Sequence, residues 1–193
     1  MKILIVAVGS RGDVAPCTGL GQALRAAGHR VTVAAYEMFA GLVSRSGLEF
    51  SALPGDPRML DAAQWQRGST GPLGTARLLR LTAAHLRDLH AGMLATARQG
   101  ADVLLLQGVS AIGGYHIAAG LGLPSMGLGL APIYPTSAFA PSTVTARSLG
   151  RWGNRAAGQA LVLLGSPLLA GPVRDLRAEL GLPRLGTYQA VFG

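Results

Sequence analysis

A short segment near the start of the chain combines residues that can accept a proton and meet an anion. The segment VGSRGDVAP (8–16) begins at the last residue of the apolar run 3–8. The carboxylate of Asp13 can act as a general base for a hydroxyl, and backbone N–H groups of a glycine-rich turn can face an anion. The same spacing also fits a purely structural turn, in which Gly9 and Gly12 take positive φ angles and Ser10 or Asp13 caps the next helix. Both interpretations are open at this point.

Two other phosphate-binding patterns fit the sequence poorly. The glycines are spaced Gly9-x-x-Gly12, whereas a dinucleotide-binding turn has the pattern G-x-G-x-x-G. Glu37 lies too far along the chain for the acid that binds a ribose in that fold. No G-K-[ST] sequence occurs, which excludes a P-loop. A nicotinamide-dependent oxidoreductase is therefore the weakest of the enzyme classes considered.

The composition predicts a compact α/β protein. The 193 residues are 49% hydrophobic and carry a formal net charge of +8, with Lys2 as the one lysine among 17 basic residues. Because the arginines are scattered and aromatic residues make up only 5%, we expect no nucleic-acid partner. The single cysteine, Cys17, excludes an internal disulfide, and we expect a cytoplasmic protein without a metal site. The charge-free stretches 103–146 and 156–173 are broken by proline or glycine, so we interpret them as core rather than membrane spans.

Apolar strand-like runs alternate with helical patterns along the chain, which is typical of a doubly wound parallel sheet. In such sheets ligands bind beyond the carboxyl ends of the strands, where we expect the loops 9–15, 54–72, 108–113 and 131–145 to converge. The predicted strands are 2–8, 29–35, 48–53, 102–107 and 124–130, and the predicted helices are 16–27, 37–46, 73–99, 112–121, 146–164 and 168–180.

The order of motifs resembles one family over nearly all of residues 1–185. GSRGDVAP followed by LGQALRAAGHRVTVAA resembles the opening of the N-terminal domain of GT-B glycosyltransferases, in the sterol and antibiotic branch grouped as glycosyltransferase family 28. SRSGLEFSALPGDPR, DVLLLQGVSAIGGYHIAAGLGLPSMGL, APIYPTSAFAP and VRDLRAELGLP resemble later segments in the same order. The resemblance implies a Rossmann-like sheet that forms one half of a GT-B fold.

The resemblance implies a role for each residue of the first turn. Asp13 would deprotonate an acceptor hydroxyl as its oxygen attacks the anomeric carbon of a sugar. The result would be inversion in one displacement, with no cofactor or metal beyond the UDP- or TDP-sugar co-substrate. The turn that approaches the donor diphosphate would comprise Gly9, Ser10, Arg11 and Gly12.

The resemblance also implies an apolar acceptor, such as an antibiotic aglycone, a sterol or a lipid alcohol, and peripheral contact with a membrane is a further expectation. The same side chains also fit packing beneath long loops. The residues predicted to line the acceptor pocket are Met59, Trp65, His116, Ile133, Tyr134 and Phe139.

We find no segment within these 193 residues that resembles the donor half of the family. We expect residues 1–185 to form the acceptor-binding domain and residues 186–193 to be a linker or truncated tail, with the donor domain supplied by a longer chain or a separate subunit. Without a donor domain, this chain would then be inactive as a glycosyltransferase. A non-catalytic module that binds a hydrophobic small molecule, with Asp13 only as a helix cap, is the alternative.

Overall fold

A computed structural model describes residues 1–55, 71–130, 135–141 and 144–186, without the side chains of 71–79 and of Leu168. Its centre is a parallel sheet of five strands in the order β3-β2-β1-β4-β5. The strands are β1 (Lys2–Val8), β2 (Arg30–Tyr36), β3 (Glu49–Leu53), β4 (Val103–Gly108) and β5 (Ser125–Leu128). The predicted doubly wound α/β fold is confirmed.

In the described ranges, five α-helices connect or cover these strands. They are α1 (Arg11–Ala26), α2 (Ala40–Arg45, preceded by a short 3-10 turn at Glu37–Phe39), α3 (Gly71–Arg98), α4 (Ser110–Leu121) and α5 (Gly150–Glu179). Helices α3, α4 and α5 pack against one another. Every predicted strand is present, with its ends displaced by a few residues at most.

The core lies on both faces of the central strand. Ile5, Val6 and Ala7 of β1 are fully buried, as are Val33 and Leu106 on its two neighbours. A parallel strand that is covered by helices on both faces needs such a continuous apolar run. The apolar run ILIVAV (3–8) at the start of the chain therefore forms the middle of the sheet.

The order in which strands are added to the sheet reverses between β3 and β4. Strands β2 and β3 extend from one side of β1, and β4 and β5 from the other. The register pairs Ala7 with Gln107 and Val8 with Gly108 at the carboxyl ends. This switch point is where an open α/β sheet forms its ligand crevice.

Two predicted helix boundaries were wrong. Helix α1 begins at Arg11 and not at Pro16, because Ser10 and Asp13 cap it earlier than the proline suggests. The predicted helices 146–164 and 168–180 are one element, α5, whose arms Gly150–Pro167 and Leu169–Glu179 meet at a 55° bend. Proline at the end of the first arm explains the bend.

No single helix among the described residues has the length and apolarity to cross a membrane. The two arms of α5 satisfy these requirements only together, across their bend. The loop predicted at 54–72 lies almost wholly outside the described residues, and the division at residue 185 stays a prediction.

Candidate functional site

The turn between β1 and α1 lies at the switch point of the sheet. Gly9 has a φ angle of +144°, a conformation that side-chain-bearing residues rarely adopt. Ser10 is the N-cap of α1, and its hydroxyl accepts a hydrogen bond from the backbone N–H of Gly12 at 3.2 Å. Asp13 follows as the third residue of the helix and is partly exposed.

The carboxylate of Asp13 closes a capping box. Its Oδ2 accepts from the backbone N–H of Ser10 at 2.7 Å and from the Ser10 hydroxyl at 2.9 Å. A negative charge in the first turn is also favoured by the helix dipole. The structural interpretation of this turn, with Asp13 as a helix cap, therefore holds locally.

A second contact to Asp13 comes from the neighbouring strand. The side-chain amide Nε2 of Gln107 donates to Asp13 Oδ1 at 2.9 Å. Gln107 is the fifth residue of β4 and is only 3% exposed. Gln107 is not among the predicted site residues, although it is the polar residue that ends the apolar run VLLL (103–106) at the edge of the crevice.

The carboxylate of Asp13 has more acceptor positions than it has donors among the described residues. An ionised carboxylate has about four acceptor positions, two on each oxygen. Oδ2 of Asp13 receives two donors from Ser10, and Oδ1 receives one from Gln107. No other donor among the described residues reaches Oδ1, which leaves one acceptor position there, on a side chain that is partly exposed. Capping and proton acceptance are therefore compatible in this one group.

Gly9 makes room for the carboxylate. A Cβ atom built at Gly9 would collide with Oδ2 and Cγ of Asp13. A glycine is required at this position by both its backbone angle and this close approach.

The predicted diphosphate-facing turn is exposed at Ser10, Arg11 and Gly12. Its backbone N–H groups are already engaged at Ser10, Gly12 and Asp13, the last donating to the Ser10 carbonyl at 3.0 Å. These three amides are therefore already engaged within the turn, and Arg11 beside them is exposed. Contact with a donor diphosphate stays a prediction.

Cys17 lies one helical turn after Asp13 and does not serve as a nucleophile. Its thiol is buried and donates to the backbone carbonyl of Asp13 at 3.4 Å. Burial, helped by the negative charge of Asp13, raises the pKa of the Cys17 thiol to about 11. The thiol therefore stays protonated at neutral pH.

Only two of the six predicted acceptor residues lie among the described residues. Phe139 is 44% exposed, in the segment 135–141. His116 is the seventh residue of α4, inside the helix predicted at 112–121, and is half-buried. Its Nδ1 lies 2.9 Å from Nη1 of Arg177 on α5, which also donates to the carbonyl of Pro183. Their acceptor roles stay predictions. The others, Met59, Trp65, Ile133 and Tyr134, fall outside the described residues.

A buried polar pair lies at the carboxyl end of β2. The hydroxyl of Tyr36 and Nε2 of His85 are 3.1 Å apart, and both side chains are buried. A side chain at Gly55, where φ is +112°, would collide with the His85 ring. His90, further along α3, is also buried, and burial lowers its pKa to about 4. The part of the chain that the structure describes contains no group of three His, Cys, Asp or Glu residues suited to a metal ion.

A polar cleft of about 140 Å³ opens at the opposite edge of the sheet. It lies at the amino ends of the strands, with Lys2, Arg30 and Glu49 in its wall. Nε of Arg30 is paired with Glu49 at 2.6 Å, and Thr32 donates to the same carboxylate. This cleft is on the wrong side of a doubly wound sheet for catalysis.

Comparison with known proteins gives one family over most of the chain. Residues 3–131 match the model of the glycosyltransferase family 28 N-terminal domain. A sterol 3-beta-glucosyltransferase of Eremothecium gossypii is 40% identical over 123 residues, which are 62% of this chain and 10% of that protein. The O-mycaminosyltylonolide 6-deoxyallosyltransferase of Streptomyces fradiae is 51% identical over 57 residues, or 30% of this chain and 14% of that protein.

Solved structures give the same fold. The Streptomyces sp. SF2575 glycosyltransferase SsfS6 is 28% identical with a TM-score of 0.56, and the match covers 96% of this chain and 48% of that one. The calicheamicin glycosyltransferase CalG4 has a TM-score of 0.63 at 19% identity, covering 94% of this chain and 43% of CalG4, and supports the fold alone. The present chain thus spans a small fraction of the curated relatives named above and about half of the solved ones. The predicted fold, one half of a GT-B enzyme, is confirmed.

Proposed function

Since this chain belongs to the glycosyltransferase family 28 N-terminal domain family, we propose that it is the acceptor-side half of an inverting glycosyltransferase. The observation that carries the proposal is the carboxylate of Asp13. It stands at the carboxyl end of the central strand, held by three donors, with one acceptor position left on Oδ1. That position is suited to the proton of an acceptor hydroxyl.

The proposed reaction is a single displacement. The acceptor oxygen attacks the anomeric carbon of the nucleotide-sugar, and the bond from that carbon to the diphosphate oxygen breaks. The hydroxyl proton passes to Oδ1 of Asp13, and the nucleoside diphosphate leaves with the bonding electron pair. Attack from the face opposite the leaving group inverts the anomeric centre. Asp13 helps most as bond formation makes the hydroxyl proton acidic.

We propose a nucleoside-diphosphate sugar as donor and an alcohol on an apolar skeleton as acceptor. SsfS6, the relative named above, has been solved with thymidine diphosphate. The curated relatives carry names for transfer to sterols and to mycaminosyltylonolide. The chain has no charged residue between 103 and 146, the stretch that contains Phe139, which favours an apolar acceptor.

Because the chain spans about half of SsfS6, we propose that sugar transfer requires a donor half, in the same polypeptide or in a partner. The test is to fuse residues 1–186 to the donor half of SsfS6 and supply TDP- or UDP-sugars with sterol and macrolide alcohols. Product formation that is lost on Asp13→Asn supports the proposal. A fusion that binds an acceptor but forms no product with any donor supports the binding-module alternative.

We also propose peripheral contact with an anionic membrane through the first arm of α5. Trp152 is 89% exposed and Leu164 79% exposed on this arm, beside the exposed Arg151 and Arg155. The sequence has no acidic residue between Asp102 and Asp175. Exposed apolar and cationic side chains on one helix are typical of a surface that binds anionic lipid. Co-sedimentation with phosphatidylglycerol vesicles that falls in Trp152→Ser, and is absent with phosphatidylcholine, would support it.

A further inference from the structure

We propose that Gln107 is the positioning residue of the catalytic carboxylate, fixing the direction in which Asp13 Oδ1 accepts the substrate proton. This inference rests on the proposed function, since it assigns a task at the same site. Gln107 lies 94 residues from Asp13 in sequence and touches it through one hydrogen bond, from Nε2 to Oδ1 at 2.9 Å.

The capping box holds the carboxylate only through an exposed residue. Both of its donors belong to Ser10, and both reach the same oxygen, Oδ2. Ser10 is exposed, at the rim of the turn. Rotation about the Cβ–Cγ bond displaces both oxygens, and this terminal torsion is broad, so bonds from an exposed residue restrain it weakly. The bond from the buried Gln107 anchors the second oxygen and narrows that rotation.

The donor itself stands on a rigid support. Gln107 lies opposite Ala7 in the register of the two central strands. The hydroxyl of Ser110 lies 2.8 Å from the Gln107 carbonyl and 2.9 Å from the Val6 carbonyl, which ties the end of β4 to β1. A site built on strands keeps its geometry more closely than one built on loops.

One feature of Gln107 argues against a purely structural role. Its Oε1 is buried and has no hydrogen-bond partner among the described residues. An unsatisfied buried acceptor lowers stability, and such groups call for an explanation. Reversing the amide would place Oε1 against the carboxylate of Asp13, so the orientation is set by that charge. An apolar residue would suit a position that is 3% exposed better, were packing its only task.

The test compares two variants of Gln107. Gln107→Met keeps the length of the side chain but has no hydrogen-bond donor. Gln107→His can place an Nε2–H donor as many bonds from the backbone as the Nε2 of glutamine. The control is Thr96→Val, which removes a buried hydroxyl that contacts Ser51 on β3. In the fusion with a donor half, we expect Gln107→Met to lower kcat about 10- to 100-fold with the acceptor KM changed less than twofold. Gln107→His should recover part of that loss, and Thr96→Val should leave kcat unchanged.

A second measurement uses the present chain without a donor half. The side-chain amide of Gln107 gives its own nitrogen–proton NMR signal, which we expect to shift strongly in Asp13→Ala and little in Thr96→Val. Crystals of Gln107→Met should show the Asp13 carboxylate rotated about its Cβ–Cγ bond. An unchanged kcat in Gln107→Met, or an unrotated carboxylate with no shift of the amide signal, overturns the inference. If the parent fusion transfers no sugar, the proposed function fails, and the NMR and crystal results alone decide whether Gln107 orients Asp13.

Discussion

Replacing Asp13 by asparagine and by alanine separates its structural role from its proposed catalytic one. Asparagine keeps an oxygen that can accept both hydrogen bonds from Ser10. Its amide can also pair with the Gln107 amide if Gln107 reverses. Alanine removes all three contacts and leaves the buried amide of Gln107 without a partner. We therefore expect the two variants to differ in stability and to agree in lost activity.

The expected magnitudes follow from these contacts. Loss of a helix cap costs about 1 kcal/mol, and an unpaired buried polar group costs about 1–3 kcal/mol. Asp13→Ala should therefore lower the free energy of unfolding by roughly 2–4 kcal/mol. Asp13→Asn loses mainly the charge at the helix N-terminus, about 1 kcal/mol or less. With a urea slope of about 2 kcal/mol/M, the unfolding midpoints should fall by roughly 1–2 M and about 0.5 M respectively.

Stability is measured by urea unfolding of the present chain, followed by circular dichroism, and activity by sugar transfer in the fusion with a donor half. Both variants should lose about 10²- to 10⁴-fold in kcat, the usual contribution of a general base. Asp88→Ala, which removes an exposed carboxylate from α3, is the control and should change neither quantity. An Asp13→Asn enzyme that works at the parental rate would refute the base assignment. Equal midpoints for the two variants would refute the contact with Gln107.

Three other perturbations test the same geometry. Gly9→Ala should displace the Asp13 carboxylate and strain a backbone with φ of +144°, which should lower the free energy of unfolding by about 1–3 kcal/mol. The control is Gly19→Ala, which should be tolerated because its new methyl group meets no atom within 4 Å. Equal urea midpoints for the two variants would contradict this. Burial lowers the pKa of His90 in the folded chain from 6.5 to about 4, so the unfolded chain binds a proton at this residue first as the pH falls. The free energy of unfolding should therefore be highest above pH 6.5 and fall by roughly 3 kcal/mol as the pH drops to 4. Urea unfolding at each pH measures this loss, and His90→Gln should abolish it; the same slope in both proteins would contradict the assignment. Burial raises the pKa of the Cys17 thiol from 9.0 to about 11, so alkylation by iodoacetamide at pH 8 should be about 100-fold slower in the folded chain than in the urea-unfolded chain. Mass spectrometry follows the alkylation, and comparable rates in the two states would contradict this prediction.

The sequence predicted the features that depend on neighbours along the chain. Alternating apolar runs and helical patterns predicted the five strands, because burial on both faces needs a continuous apolar segment. The spacing from Ser10 to Asp13 contained the capping box, because one helical turn brings these side chains together. Helix ends were less predictable where proline was present, as at Pro16 and Pro167.

Cap and base were alternatives in the sequence; the tertiary structure shows Asp13 as the cap, and its role as the base is our proposal. The donor to Asp13 Oδ1 is Gln107, and the buried Tyr36 hydroxyl lies 3.1 Å from His85 Nε2. These pairs are 94 and 49 residues apart, so their meeting depends on the order of strands and the packing of α3. A local pattern determines hydrogen bonds within one turn. Bonds between distant segments form only when burial of the whole sheet brings those segments together.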